Sequence, residues 1–101
     1  SMMQTDILAS QPVTSSGALQ NQAGSNLGRV RVRAIYIVAG ATAGSVVLKD
    51  GGASGSTVVT INTVGSATTP QYFRLPGQGL LFSTSVYATV TNAASVMVFY
   101  A

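Results

Sequence analysis

From residue 29 onward, apolar and polar positions alternate with a period of two, the spacing of side chains along a β-strand. The clearest run covers residues 29–38. One face of this strand would carry Val30, Val32, Ala34, Tyr36 and Val38, and we expect it to line the core. The opposite face would carry three arginines and then two isoleucines, so we expect it to be basic at one end and apolar at the other.

Further strands follow from the same alternation. We predict them at residues 45–49, 56–62, 71–75, 80–84, 86–91 and 95–101. Glycine-rich segments at 40–44 and 51–55, and the sequence Pro76-Gly77-Gln78-Gly79, provide turns between them. Turn signals at intervals of about 8–12 residues, with no apolar stripe of helical period, predict an all-β fold. The fold class that we expect is an antiparallel β-sandwich, jelly-roll-like, with about seven or eight strands.

The first 28 residues differ from the rest, because they are rich in Gln, Ser, Ala, Asn and Gly without a sustained pattern. We interpret residues 1–28 as an N-terminal arm and residues 29–101 as the β-sandwich domain. Short strands are expected near 5–9 and 12–18, and the arm is expected to serve as a docking element. A plain linker is the alternative. Ser1-Met2 ahead of Met3 is typical of a cloning scar.

Two predicted strands are apolar on both faces. In the last strand the valines and Tyr100 point one way, and the residues between them point the other way. A sandwich of two sheets buries only one face of each strand, so a second apolar face indicates contact with a partner. The candidate oligomer or partner interface is Ile35, Ile37, Met97 and Phe99. The alternative is a small closed barrel, or an arm folded over the second face.

The composition supports association. Charged residues make up 7% of the 101 residues and hydrophobic residues 47%, with a net charge of +3, whereas a typical soluble domain is about 25% charged. Such a chain lacks the charges that keep free monomers apart. We therefore expect a homo-oligomer.

Arg29, Arg31 and Arg33 alternate, and we expect them to form a polar contact stripe on one face. Such a stripe suits phosphates, carboxylates or an acidic partner. The alternative is solvated charge that discourages aggregation of strands. Nucleic acid is disfavoured as a partner, because its binding would need more charge with exposed aromatic residues beside it.

Catalytic chemistry has few groups available. The chain has no Cys and no His, and its two acidic side chains are Asp6 and Asp50, the second in a predicted turn. We expect no enzyme activity, no catalytic residue, no metal site and no cofactor.

We also expect no signal peptide and no membrane contact, since neither a basic segment before an apolar stretch nor a run of about 20 apolar residues is present.

The segments GRVRVRAIYIVAGATAGSVVLKDGG (28–52) and YFRLPGQGLLFSTSVYATVTNAASVMVFY (72–100) carry a resemblance. They resemble short Gly/Ala/Val/Thr-rich proteins encoded among the virion genes of tailed bacteriophages. The shared features are compositional, and the most specific are the strand followed by KDGG and the LPGQG turn.

The resemblance implies a component of the virion, assembled in the host cytoplasm, such as a capsid decoration (cement) protein that contacts the capsid or another virion protein. Proteins of this kind are commonly trimers or other cyclic oligomers, so a trimer is expected. The alternative that it leaves open is a receptor- or glycan-binding module of a head fibre or tail. It implies no catalytic residues.

Overall fold

The computed structural model describes residues 6–65 and 70–101, which form nine β-strands and no helix. No stretch within these residues is a helix long and apolar enough to span a bilayer. The strands are β1 (Leu8–Ala9), β2 (Gly17–Ala18), β3 (Val30–Ala39), β4 (Gly44–Asp50), β5 (Ser56–Thr63), β6 (Gln71–Arg74), β7 (Leu80–Phe82), β8 (Val86–Thr91) and β9 (Ala93–Tyr100).

The strands form two antiparallel sheets. Sheet A has the order β1-β9-β3-β6, with β7 also paired to β3, and sheet B has the order β2-β8-β4-β5. Strand β7 pairs with the beginning of β3 and β6 with its later part, so the two act as one interrupted strand. Counted in this way, eight strands have the order of a jelly roll, in which most connections cross between the sheets. The predicted all-β sandwich is confirmed.

The core lies between the sheets and is filled by alternate residues of their strands. Burial of one large apolar side chain contributes about 1.5–3 kcal/mol. The largest fully buried apolar side chains are Leu19, Val32, Ile35, Ile37, Val46, Leu48, Phe82, Val86, Val96 and Val98. Alternate positions of β4 and β9 belong to this set, as the period of two requires.

Glycines set the turns where the sequence places them. Gly51 and Gly52 adopt φ of 101° and 112° in the loop of the β4–β5 hairpin, values that side chains strongly disfavour. In the predicted turn before β7, the N–H of Gly79 donates to the carbonyl of Pro76 at 3.0 Å. Gly79 has φ of 89°, and a side chain there would collide with the carbonyl oxygen of Val32.

The described part of the N-terminal segment is built into the sandwich. Strand β1 pairs with β9 in sheet A and β2 pairs with β8 in sheet B. Leu19 and Leu27 are almost completely buried in the core. The expected boundary between an arm (1–28) and a sandwich (29–101) is therefore not observed, because described residues on both sides of it belong to the same two sheets and the same core. The segment lacks a clear pattern because its strands are only two residues long.

A β-bulge in β3 corrects the predicted core face. Val32 pairs with Tyr100 and Ala34 with Phe99, so Arg33 is an additional residue in β3. The bulge reverses the alternation. Every later residue of β3 therefore points to the face opposite to the one that regular alternation from Val30 predicts. Ile35 and Ile37, expected on the partner-facing side, are fully buried in the chain's own core.

Tyr36 and Val38, expected in the core, point outward instead and are only partly buried. Ala34 also points outward, although it is buried. Val30 and Val32 precede the bulge, and both pack in the core as predicted.

Candidate interaction surface

The outer face of sheet A, meaning the side chains that point away from sheet B, has an apolar centre. Tyr36 pairs with Met97 on one side and with Tyr72 on the other, so the three side chains form one row across β9, β3 and β6. Tyr72 is 60% exposed. Its ring lies edge-on to that of Phe99, with centroids 6.1 Å apart and planes at 65°, an arrangement that aromatic pairs favour.

Met97 and Phe99 point outward as the sequence predicts. Both are partly exposed, whereas Val96, Val98 and Tyr100 point into the core. Strand β9 is thus apolar on both faces and covered by its own chain on one of them. That Met97 and Phe99 contact a second subunit stays a prediction.

A hollow of about 270 Å³ opens beside these aromatic rings. Ala34 forms its floor, because this small residue lies between Phe99 on β9 and Arg74 on β6 in the sheet register. Ile7 and Leu75 add apolar walls, and the whole lining is Ile7, Arg33, Ala34, Tyr72, Arg74, Leu75, Gly77 and Phe99. We call it the aromatic hollow. It joins apolar surface to two guanidinium groups.

The predicted arginine stripe is brought together on the same face, at the beginning of β3. Arg29, Arg31 and Arg33 line a second, shallower hollow of about 470 Å³, which we call the arginine hollow. Its remaining lining residues are Val30, Gln78, Leu81 and Ala101. Arg29 and Arg31 are exposed, whereas Arg33 is partly buried.

Arg33 connects the two hollows, since its side chain lines both. This position follows from the bulge, which keeps Arg33 outward next to the outward Ala34. Its Nε is buried and has no hydrogen-bond partner within residues 6–65 and 70–101. A buried donor without a partner is costly and marks a place where an acceptor would be favoured.

Tyr36, Val38, Tyr72 and Arg74 belong to this surface but were not predicted as site residues. For Tyr72 and Arg74 a signal exists in the sequence. Alternation with the apolar Phe73 and Leu75, which pack against the core, places Tyr72 and Arg74 on the opposite, outward face of this strand. Tyr36 and Val38 carry no such signal, because the bulge alone decides which way they point.

The outer face of sheet B is different in kind. Outward positions of β8, β4 and β5 pair in rows, such as Thr89 with Val47 and Val47 with Thr60. Most of these positions are hydroxyl or amide residues, namely Ser45, Thr57, Thr60, Asn62, Thr89 and Thr91. A surface of this composition is readily hydrated, so the two outer faces of the sandwich are chemically unequal.

Asp50 has a structural role at the far end of β4. Its carboxylate accepts hydrogen bonds from the backbone N–H groups of Ser83 (2.8 Å), Thr84 (2.9 Å) and Ser85 (3.2 Å). These bonds, with that from Ser83 strongest, hold the pKa of Asp50 below its usual value of 3.8. The carboxylate thus fixes the loop between β7 and β8.

The described residues contain no group of three or more His, Cys, Asp or Glu side chains that could hold a metal ion. No protein-family model matches the chain, and neither a curated protein nor a solved structure shows significant similarity to it.

Proposed function

We propose that this protein is a non-enzymatic structural component of a phage virion, which associates with copies of itself and docks onto the particle as a capsid decoration or cement protein does. The observation that carries the proposal is the outer face of sheet A. It presents Tyr36, Val38, Tyr72, Met97 and Phe99 outward on a chain of which only 7% is charged. Contiguous apolar patches rimmed by polar residues mark interaction sites.

The inequality of the two outer faces supports the same proposal. A free monomer gains nothing from an apolar outer face when the opposite face is rich in threonine. Association through the outer face of sheet A would cover the apolar row and leave the hydrated face of sheet B in solvent. We propose a cyclic homo-oligomer, with three subunits as the first expectation.

The fold agrees with this proposal by analogy alone. Jelly rolls are common in viral capsid proteins, and they also occur in lectins and enzymes. The analogy therefore adds less than the chemistry of the surface does.

Replacing Met97 with Asp tests self-association. We expect light scattering to give the wild-type protein about three times the 10.2 kDa of one chain, and the Met97→Asp variant the mass of one chain. The reason is that a carboxylate buried without a partner in an apolar contact is strongly unfavourable. Co-sedimentation with purified capsids should show the wild-type protein bound to the particle.

Val47→Asp is the matched control, because Val47 is a partly buried apolar residue on the outer face of sheet B. This variant should keep the oligomer mass. A wild-type protein that is monomeric at high concentration would contradict the proposed self-association, and so would a Met97→Asp variant that is folded and still oligomeric.

The second candidate function is a receptor- or glycan-binding module. The observation in its favour is Tyr72, which is 60% exposed and forms a rim of the aromatic hollow beside Arg74. Exposed aromatic rings beside polar groups are suited to stacking on a ligand. Selective retention of the protein on a glycan surface, lost in Tyr72→Ala and without binding to capsids, would favour this function.

A further inference from the structure

The basic side chains of the chain are concentrated at one end of the outer face of sheet A. Four of the five basic residues, Arg29, Arg31, Arg33 and Arg74, line the two hollows there. None of these guanidinium groups makes a hydrogen bond or ion pair with the residues that the structure describes. The cluster is therefore uncompensated within the described chain.

A second copy of the protein could neutralise little of this cluster with its own side chains. The sequence has two acidic residues, and Asp50 is already occupied by three backbone N–H groups of its own chain, which leaves the exposed Asp6 as the one carboxylate for four arginines. In a symmetric contact, one arginine cluster would also face the other, and like charges at short range repel. The arginine end is thus unsuited to self-association, unlike the apolar row.

The geometry of this end suits an extended chain that carries carboxylates. Arg31 and Arg33 are two residues apart on β3, about 6.5–7 Å along a strand, which is also the spacing of alternate side chains on an extended peptide. Guanidinium groups bind carboxylates through paired hydrogen bonds. The aromatic hollow, bounded by Ile7, Leu75 and Phe99, provides room for one apolar side chain of the same peptide.

We infer that the two hollows joined by Arg33 form a docking site for an acidic, extended segment of a different protein, with one apolar side chain in the aromatic hollow and carboxylates on the arginines. This inference deepens the proposed docking onto a particle and rests on it. It assigns different partners to two parts of one face: a second copy at Tyr36, Val38 and Met97, which line neither hollow, and a heterologous acidic segment at the arginine end, with Tyr72 and Phe99 at the boundary between the two contacts.

The inference can be tested with a synthetic peptide by fluorescence anisotropy. The probe is a labelled ten-residue peptide in which Glu alternates with Thr around one central Leu. We expect it to bind the full-length protein, with affinity that falls as salt is added. Arg31→Gln and Arg33→Gln should each weaken binding about tenfold, the loss expected for one charge-assisted contact.

Lys49→Gln is the matched control, because it removes the same charge at a residue on β4 of sheet B, outside both hollows. It should leave the affinity unchanged. Arg31 is exposed, so its variant keeps the test informative if Arg33→Gln does not fold. Equal binding of a peptide with Gln in place of Glu would overturn the inference. So would tighter binding of a ten-nucleotide single strand, which would indicate a nucleic-acid site.

The two proposals can fail separately. Met97 lines neither hollow, so Met97→Asp should keep peptide binding, and Arg31→Gln should keep the oligomer mass. If the wild-type protein is monomeric yet binds the acidic peptide, self-association fails while the docking site stands. An oligomer that does not bind the peptide would contradict only the docking site.

Discussion

Neutral hydroxyl groups replace missing backbone partners at single residues of this sandwich. Ser10 is fully buried next to β1, and its Oγ accepts a hydrogen bond from the N–H of Val98 at 3.0 Å. Ser16 Oγ accepts from the N–H of Val90 at 2.8 Å. Serine hydroxyls can accept hydrogen bonds from backbone N–H groups that have no carbonyl partner on a neighbouring strand. In this way a chain with few charges still satisfies its backbone donors.

Asp50 is the residue whose ionisation should matter most for stability. Its pKa is lowered in the folded protein by hydrogen bonds from Ser83, Thr84 and Ser85. A lowered pKa means that the stabilisation is complete above the pKa of the unfolded chain and is lost as the pH falls through the folded pKa. We therefore expect Asp50→Asn to lower the melting temperature at pH 7, with a difference from wild type that shrinks below about pH 4.

Asp6→Asn provides the control, because it removes the same charge at an exposed position. Thermal unfolding followed by circular dichroism between pH 2 and pH 7 measures both variants. A difference between Asp50→Asn and wild type that is constant over this range would show that the carboxylate does not stabilise the loop.

At the scale of elements, the strands could be predicted and one bulge could not. Turn residues and alternation place β3 to β9 within about two residues of their observed bounds. In β3, however, residues after Ala34 are apolar on both faces, so periodicity is equally compatible with either register. The register of β3 against β9 decides between them, because Val32 pairs with Tyr100 and Ala34 with Phe99, and these partners lie far apart in the sequence. For this reason regular alternation predicts the wrong face for Ile35 and Ile37.

Deleting Arg33 tests the role of the bulge. The deletion should restore regular alternation with Val32 and Ile35 inward and Ala34 outward, so the core residues keep their faces. We expect a folded protein that loses about 1 kcal/mol of unfolding free energy with the hydrogen bond from Leu75 N–H to Arg33 O. Chemical denaturation measures this loss.

The matched control is deletion of Tyr36, which would turn Ile37 and the rest of β3 away from the core. That variant should not fold, because a shift of one residue moves the apolar set to the solvent face. If both deletions unfold the protein equally, the bulge has a role other than setting the face on which the later side chains of β3 lie.

At the scale of the molecule, the N-terminal segment completes both sheets. Strand β1 forms one edge of sheet A and β2 one edge of sheet B, while Leu19 and Leu27 pack into the core between them. Composition alone could not reveal this role, since the strands are too short for alternation to be visible. The same segment places Ile7 on the wall of the aromatic hollow, so folding and the candidate site depend on it together.

Removal of residues 1–27 should consequently abolish cooperative folding. Replacing a buried leucine with alanine alone costs about 2–5 kcal/mol, and the truncation removes Leu19, Leu27 and two edge strands from a small domain whose total stability is about 5–15 kcal/mol. Thermal unfolding and the dispersion of amide signals in a nuclear magnetic resonance spectrum measure the outcome. Ile7→Ser together with Leu8→Ser, at exposed positions, should still fold. A truncated chain that unfolds cooperatively would show that residues 28–101 suffice as a domain, and the N-terminal segment would then be a separable arm after all.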